Sequence, residues 1–523
     1  MRGLSFQSQK PVIPGSPNRM DVACFVGLVD LRDDAPREDI NQWLYEQSWL
    51  NSAQGFAATY HRDSAEDLLD VPVPIESWER FTQLFEWNQR EFNADLSGAA
   101  YLATAVRAFF AQGGRRCYVV RVASPLSLLA DETERHQLIA NLVPGFPSQV
   151  SSITPDRSSW AGVGHLLGLP DVTMLCLPDL PDLVRITVTD IDTDIPTQGT
   201  LPEQFVVCSD PVAAPPPDNL LEALPAPTSD AAGFSLWGNV IHQLALFLSD
   251  HRRDVQLIAA IPLPDNSSEQ LIDFFGFMHE QSWFNGNLNS NPGIASAFVQ
   301  LCYPWLRSAG SDLLPQHLEP PDGSLAGLLA RNAITRGAFR SVTALNQRDV
   351  RDIYPALSQQ QQFTPYAEAA DSATLIDRVS LFGHSLNGVR VLSDVTTSDS
   401  SAHRPANINR IISMVVRSAR LAGEEYVFES NGERLWSEIT QRLNDVLRIL
   451  FDLGALRGEE PEDAFFVRCD KTTMSQQDLD SGRVIVEVEF NPAASIESIA
   501  VILSMQQSGQ VSLKSIGIEQ AVA

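Results

Sequence analysis

The chain of 523 residues is short of positive charge: 37 Lys and Arg stand against 65 Asp and Glu, a formal net charge of −28. Binding to nucleic acid or to an anionic membrane needs clustered Lys and Arg, so neither is expected as a general property. Cysteine is also scarce. Cys24, Cys117, Cys176, Cys208, Cys302 and Cys469 include no CxxC pair, which removes the zinc-ribbon and redox-dithiol readings. Most lie in apolar surroundings, as in Val-Ala-Cys-Phe-Val (22–26) and Met-Leu-Cys-Leu (174–177), as suits buried free thiols in a reducing compartment. The nine His are scattered without metal-ligand spacing, and there is no Walker loop and no HExxH. No metal and no cofactor is expected. The N-terminus lacks the apolar core of a signal peptide, and no uninterrupted apolar run approaches the ~18–20 residues of a membrane span. Cytoplasmic synthesis without membrane insertion is expected.

Two segments approach catalytic motifs and fall short. Gly383-His384-Ser385-Leu386-Asn387 resembles a nucleophile elbow, but the tight turn needs a small fifth residue and a helix after it. Here Asn387 takes that place, and Gly388-Val-Arg-Val-Leu reads as a second strand. Gly162-Val-Gly164-His-Leu-Leu-Gly168 is one residue too long for a dinucleotide fingerprint. No catalytic residue is assigned, and the chain is read as a non-enzyme.

What is present is a globular composition, 44% hydrophobic and 20% charged, with a helix-and-strand alternation that predicts a mixed α/β (α+β) multidomain protein. Residues 1–20 form a polar lead punctuated by Pro11, Pro14 and Pro17, with Leu4, Phe6 and Val12 on one side of an extended chain. It has too little apolar surface to fold alone and is suited to pairing as a strand elsewhere. A buried strand is predicted at 21–31, a helix at 96–112 stopped by Gly113-Gly114, and strands at 117–123 and 172–178. Residues 179–232 hold Pro211, Pro215, Pro216, Pro217, Pro225 and Pro227 and read as an exposed insertion. A helix at 233–250 and a strand at 254–263 follow, and Gln359–Gln362 reads as loop. From 401 the pattern sharpens: helices at 405–422 and 433–453, then strands at 465–470, 484–490 and 499–505. The tail is mostly polar, with Val511 and Leu513 alternating. The divisions expected are an arm at 1–20, regions at 21–178, 179–232, 233–400 and 401–507, and a second arm at 508–523.

The C-terminal stretches make an ordered series: Tyr426-Val-Phe-Glu-Ser-Asn431, Leu435-Trp436, Asp452-Leu-Gly-Ala-Leu-Arg-Gly458, Ala464-Phe-Phe-Val-Arg-Cys-Asp470, Asp478-Leu-Asp-Ser-Gly482 and Phe490-Asn-Pro-Ala493. With Pro17–Gly27, Phe109–Val122, Leu325-Ala-Gly327, Arg336-Gly337 and Gly388–Ser393, this series resembles the phage-type contractile tail sheath proteins. It looks closest to the sheath subunits of extracellular contractile injection systems. The resemblance implies an α/β core built from N- and C-terminal parts, an inserted outer domain and extended terminal arms. It implies hexameric rings stacked helically around an inner tube, with baseplate and terminal cap proteins as further partners, no nucleic acid and no direct membrane insertion. The particle would be assembled in the cytoplasm and then released or anchored. A minor sheath or cap paralogue is the alternative. Strand exchange between subunits is expected to use Leu4, Phe6, Val12, Val511 and Leu513, with Gly15 and Gly509 as hinges. Residues 401–423 carry Arg404, Arg410, Arg417 and Arg420 and no acidic residue. Those four are expected to contact an acidic inner tube.

Overall fold

A computed structural model describes residues 19–47, 49–50, 67–93, 96–147, 160–188, 220–265, 293–363, 374–425, 429–493, 498–505 and 511–519. Leu4, Phe6, Val12, Gly15, Gly509 and most of the proline-rich insertion lie outside them.

The body of the molecule is an eight-stranded sheet. Its strands are β1 (Val22–Leu28), β2 (Pro72–Ile75), β3 (Arg116–Ala123), β4 (Met174–Cys176), β5 (Gln256–Ala260), β6 (Val299–Tyr303), β7 (Val379–Ser385) and β8 (Gly388–Val391). The spatial order is β8-β7-β6-β5-β4-β1-β3-β2. From β7 to β3 all neighbours are parallel, and the two outermost strands run antiparallel. Every residue of β1, β4, β5 and β6 is buried. Such fully buried and largely apolar runs, interrupted by Gln256 and Gln300, fit a parallel sheet covered on both faces, where alternation has no purpose. The expected boundaries between 21–178, 179–232 and 233–400 do not divide this body, because β1 and β4 pair with each other and β4 pairs with β5.

Helix α1 (Tyr101–Gln112) starts later than the sequence pattern suggests, because Leu96–Gly98 is already a short strand. It ends where expected: Gly113 takes the left-handed conformation at φ 110° and returns its N–H to the last helical carbonyls, an arrangement that favours glycine. Helix α2 (Ala231–His251) is long and apolar enough to cross a membrane. Here Trp237, Ile241, Leu244 and Leu248 bury it in the body core. Helix α3 (Asp322–Thr335) lies against α1. A Cβ at Gly323 would meet the Ala105 backbone at 2.3 Å, and one at Gly327 the Phe109 carbonyl at 2.4 Å. The two glycines sit one turn apart on one face of α3 and allow the backbones to touch. Gln359–Phe363, read from the sequence as loop, is a short helix with no buried residue; its polar surface left no apolar periodicity to detect.

A second, smaller core follows. Helices α4 (Ala406–Glu425) and α5 (Glu433–Asp452) pack with a four-stranded antiparallel sheet of β9 (Phe465–Arg468), β10 (Val484–Phe490), β11 (Ser498–Met505) and β12 (Val511–Glu519). The α5 stripe of Leu435, Trp436, Ile439, Leu443, Val446, Leu447 and Leu450 is buried as its spacing predicts. Met20, Ala338 and Phe339 join this core from the body.

Candidate functional site

The features that distinguish the C-terminal unit are a helix tied into the body by arginines and a sheet whose two outer strands have one partner each among the described residues. Helix α4 crosses from one core to the other. Arg410 is buried and donates Nε to the Ala338 carbonyl at 2.8 Å and Nη2 to Asp394 Oδ2 at 2.6 Å. Asn407 adds a bond to the Phe339 carbonyl at 3.1 Å. Two turns on, Arg417 donates to the Val172 carbonyl at 3.0 Å and faces Asp254 at 3.4 Å. Arg420 donates to the Pro170 carbonyl at 2.7 Å and lies 3.2 Å from the same Asp254. Arg252, which follows α2, completes the group by bonding Asp254 at 3.0 Å.

Burial alone would raise the Asp254 carboxyl, but Arg252, Arg420 and Arg417 outweigh it and hold the group below the usual carboxylate range. Asp394 is likewise held low by Arg410 against its burial. Burial brings the Arg417 guanidinium down to about 10, with Asp254 opposing. These are desolvated pairs. Removing one partner leaves a buried charge uncompensated, a far larger effect than breaking a surface pair.

The expectation that Arg404, Arg410, Arg417 and Arg420 together present a basic surface is therefore corrected. Arg410 and Arg417 are buried in bonds to the body, and Arg420 shares Asp254. Arg404 is partly exposed and donates to the Asp399 carbonyl at 3.1 Å. The sequence showed the local excess of arginine on 401–423. The acids that answer it, Asp254 and Asp394, lie 166 and 16 residues away from their partners and carry no local signal.

The sheet edges are β9 and β12. Val511 and Leu513 pair with Met505 and Leu503 of the same chain, so β12 completes the sheet as its last strand. On the opposite edge, β9 pairs with β10 alone among the described residues. Phe466 on it is 55% exposed. Between β9 and α5 runs an open groove of about 500 Å³, walled by Ser437, Gln441 and Asn444 on the helix and by Phe466 and Arg468 on the strand. Lys471 bonds Glu433 at 2.7 Å across its end. An unpaired strand beside a shallow groove is the geometry that accepts an added strand.

The two segments read as weak catalytic motifs are turns. Ser385 sits in the hairpin between β7 and β8 and donates to the Gly388 carbonyl at 2.8 Å, with Gly388 at φ 111°. Gly162–Gly168 is a 3-10 helix. Among the described residues no group of three His, Cys, Asp or Glu side chains has the placement of a metal site. Five of the six cysteines are free and buried, and Cys208 lies outside the described residues.

The family model of the phage tail sheath C-terminal domain matches residues 398–506. Those residues are α4, α5 and β9 to β11 with their connections, which are most of the second core. No curated protein sequence matches the chain. Solved structures match over nearly its whole length. The anti-feeding prophage (AFP) baseplate in contracted state has a TM-score of 0.54 at 17% identity, covering 94% of this chain and 93% of that one. The AFP helical sheath in contracted state gives 0.51 at 19% identity, covering 94% and 95%. The PVC sheath complex of an extracellular contractile injection system, also contracted, gives 0.50 at 15% identity, covering 94% of each chain. The chain has the fold of these sheath structures, and residues 398–506 match the phage tail sheath C-terminal domain.

Proposed function

We propose that this chain is a structural subunit of a contractile sheath in an extracellular injection system, without catalytic activity. Copies stack as hexameric rings around an inner tube and drive it through a target envelope when they contract. The observation that carries this reading is the coincidence of the sheath domain match, 398–506, with a separately cored unit whose β9 edge has no second strand partner among the described residues. Residues 1–20 and 508–523 are the exchanged arms. Strand β12 pairs with β11 of its own chain, and the same register serves when the strand comes from a neighbour, since swapping exchanges identical elements. Head-to-tail exchange of this kind closes into a ring where its rotation allows and otherwise continues as a helix, so one kind of contact can serve within and between rings.

A tube contact would use Arg404 and the exposed part of Arg420, because Arg410 and Arg417 are bound inside the subunit. An Arg404→Gln sheath that holds its tube unchanged would remove Arg404 from that contact.

Electron microscopy of the purified full chain, and of forms lacking 1–20, 508–523 or both, tests the proposal. The full chain is expected to build long cylinders and the trimmed forms to stay unassembled. Cylinders built equally well without both ends overturn it. A second reading is a minor sheath protein near the baseplate, since baseplate structures stand among the matches. It predicts that the full chain builds cylinders only when a second sheath protein is supplied.

A further inference from the structure

The order of the body strands has a switch point. From β1 the chain moves to β3 on one side, then returns to β4 on the other side and continues outward through β5, β6 and β7. In doubly wound sheets the crevice at the carboxyl ends of the two strands flanking such a point is where ligands bind. Here the crevice between β1 and β4 is filled from within. Asp179, just beyond β4, accepts the Leu28 N–H at 2.7 Å from the end of β1 and the Leu102 N–H at 3.3 Å from the start of α1. It takes the place at a helix N-terminus where a bound anion would sit. A Cβ on Gly27 would lie 2.1 Å from the Asp179 carboxylate, so β1 can approach this closely only as glycine.

Asp179 is the first of three buried carboxyl groups at this end of the sheet. Asp322 opens α3 and is fully buried; Oδ1 accepts the Gly323 N–H at 2.8 Å, while Oδ2 makes no hydrogen bond. Glu319, three residues earlier, is 1% exposed; Ser308 lies beside it, and neither carboxyl oxygen completes a hydrogen bond. Among the described residues none of the three is in an ion pair, whereas buried Asp182, Asp254 and Asp394 all are. The nearby cations are committed elsewhere. Arg90 and Arg185 bond Asp182 at 2.6 and 2.7 Å, and Arg107 donates to the Ala309 carbonyl at 2.9 Å. The other titratable groups facing the cluster are Asp182 and Tyr101 beside Asp179, Cys176 and Cys302 beside Asp322, and Asp349 beside Glu319. None of these supplies a positive charge.

We propose that Asp179, Glu319 and Asp322 form a pH-sensitive seal: they close the switch-point crevice as neutral acids and force α1 and α3 apart when they ionise. Glu319 and Asp322 leave carboxyl oxygens without partners, and an ionised group there would carry a large desolvation cost; at Asp179 burial outweighs the two N–H groups that favour its charge, so the three retain their protons. Burial pushes Asp179 and Asp322 up to about 7 and Glu319 up to about 8; Asp182 beside Asp179, Asp179 beside Asp322, and Asp349 and Asp322 beside Glu319 add to it. The folded chain therefore holds protons that the unfolded chain has released, and stability falls as pH rises from the ordinary carboxylate range through about 7 to 8. The consequence reaches α1 and α3 first, because their glycine-mediated contact has no slack.

Thermal unfolding of the full chain between about pH 5 and pH 9 tests this, with the infrared carbonyl band of protonated carboxyls as a direct readout. The midpoint is expected to fall with rising pH, and the protonated band to persist at neutral pH and vanish on the alkaline side. The Glu319→Gln/Asp322→Asn protein is expected to lose most of that pH dependence and most of the band. Where that variant does not fold, the band of the unaltered chain decides alone. A midpoint that is flat or rises over this range, or the absence of the band at neutral pH, overturns the proposal.

Discussion

The two sheets of this molecule treat their edges in opposite ways. The eight-stranded body sheet is closed to additions at one end by β2, where Pro72 and Pro74 leave half of the four residues without an N–H. At the other end β8 is a four-residue strand in a tight hairpin with β7. The β9 edge of the C-terminal sheet is equally short but carries no proline. It reads Phe-Phe-Val-Arg, with an open groove beside it. An unguarded edge is an aggregation hazard in a monomer and an assembly device in a polymer. Under the proposed function, assembly contacts are expected on the smaller core, while the larger sheet offers an added strand little to pair with.

If that division holds, changes in the body and at its junction register as stability and changes on β9 register as assembly. The largest effect is expected at the junction. Asp254→Ala leaves Arg252 and Arg417 buried, and Arg420 partly buried, around no counter-charge, and a loss of about 3–5 kcal/mol in chemical denaturation is expected. Next is Gly327→Val, whose side chain meets the Phe109 backbone; about 3 kcal/mol of overpacking strain is expected by the same measurement. A value near zero for either would mean that the two helices or the two cores are not firmly packed.

A third test uses acid. Asp182, Asp254 and Asp394 are held below the usual carboxylate range, since their arginines outweigh burial. Their contribution is present above the ordinary carboxylate pKa and is lost as pH falls below it. The melting temperature is thus expected to drop below about pH 4, the limb opposite to that of the unpaired carboxyls. Smaller in stability but decisive for the comparison is Phe466→Asp on the exposed β9 edge. It is expected to change stability by no more than about 0.5 kcal/mol, yet to abolish cylinders in electron micrographs. Smallest is Lys471→Ala. Its pair with Glu433 is exposed, and no change in either readout is expected.

The periodic parts of this architecture were legible in the sequence. Strands β1 and β10 and helices α4 and α5 appear where their apolar spacing places them, because burial against a core leaves a pattern in residues a few positions apart. The left-handed Gly113 stop was visible for the same local reason. What the sequence hid is long-range. Strands β4 and β5 join one sheet across the whole proline-rich insertion, a pairing that a change in composition does not reveal. The arginine stripe on α4 was seen, but its destination depends on Asp254 and on the carbonyls of Pro170 and Val172. Asp179, Glu319 and Asp322 drew no notice among 65 acidic residues, since only the fold reveals which acids lack a cation.

Where that insertion leaves the body, the chain passes through a clasp. The Ile186 N–H donates to the Thr228 carbonyl at 2.8 Å, so both ends of the intervening segment are pinned side by side. Lengthening a tether whose ends already meet costs little, as closure entropy grows only with the logarithm of length. Residues added between these two clasped positions are accordingly expected to cost the body little stability.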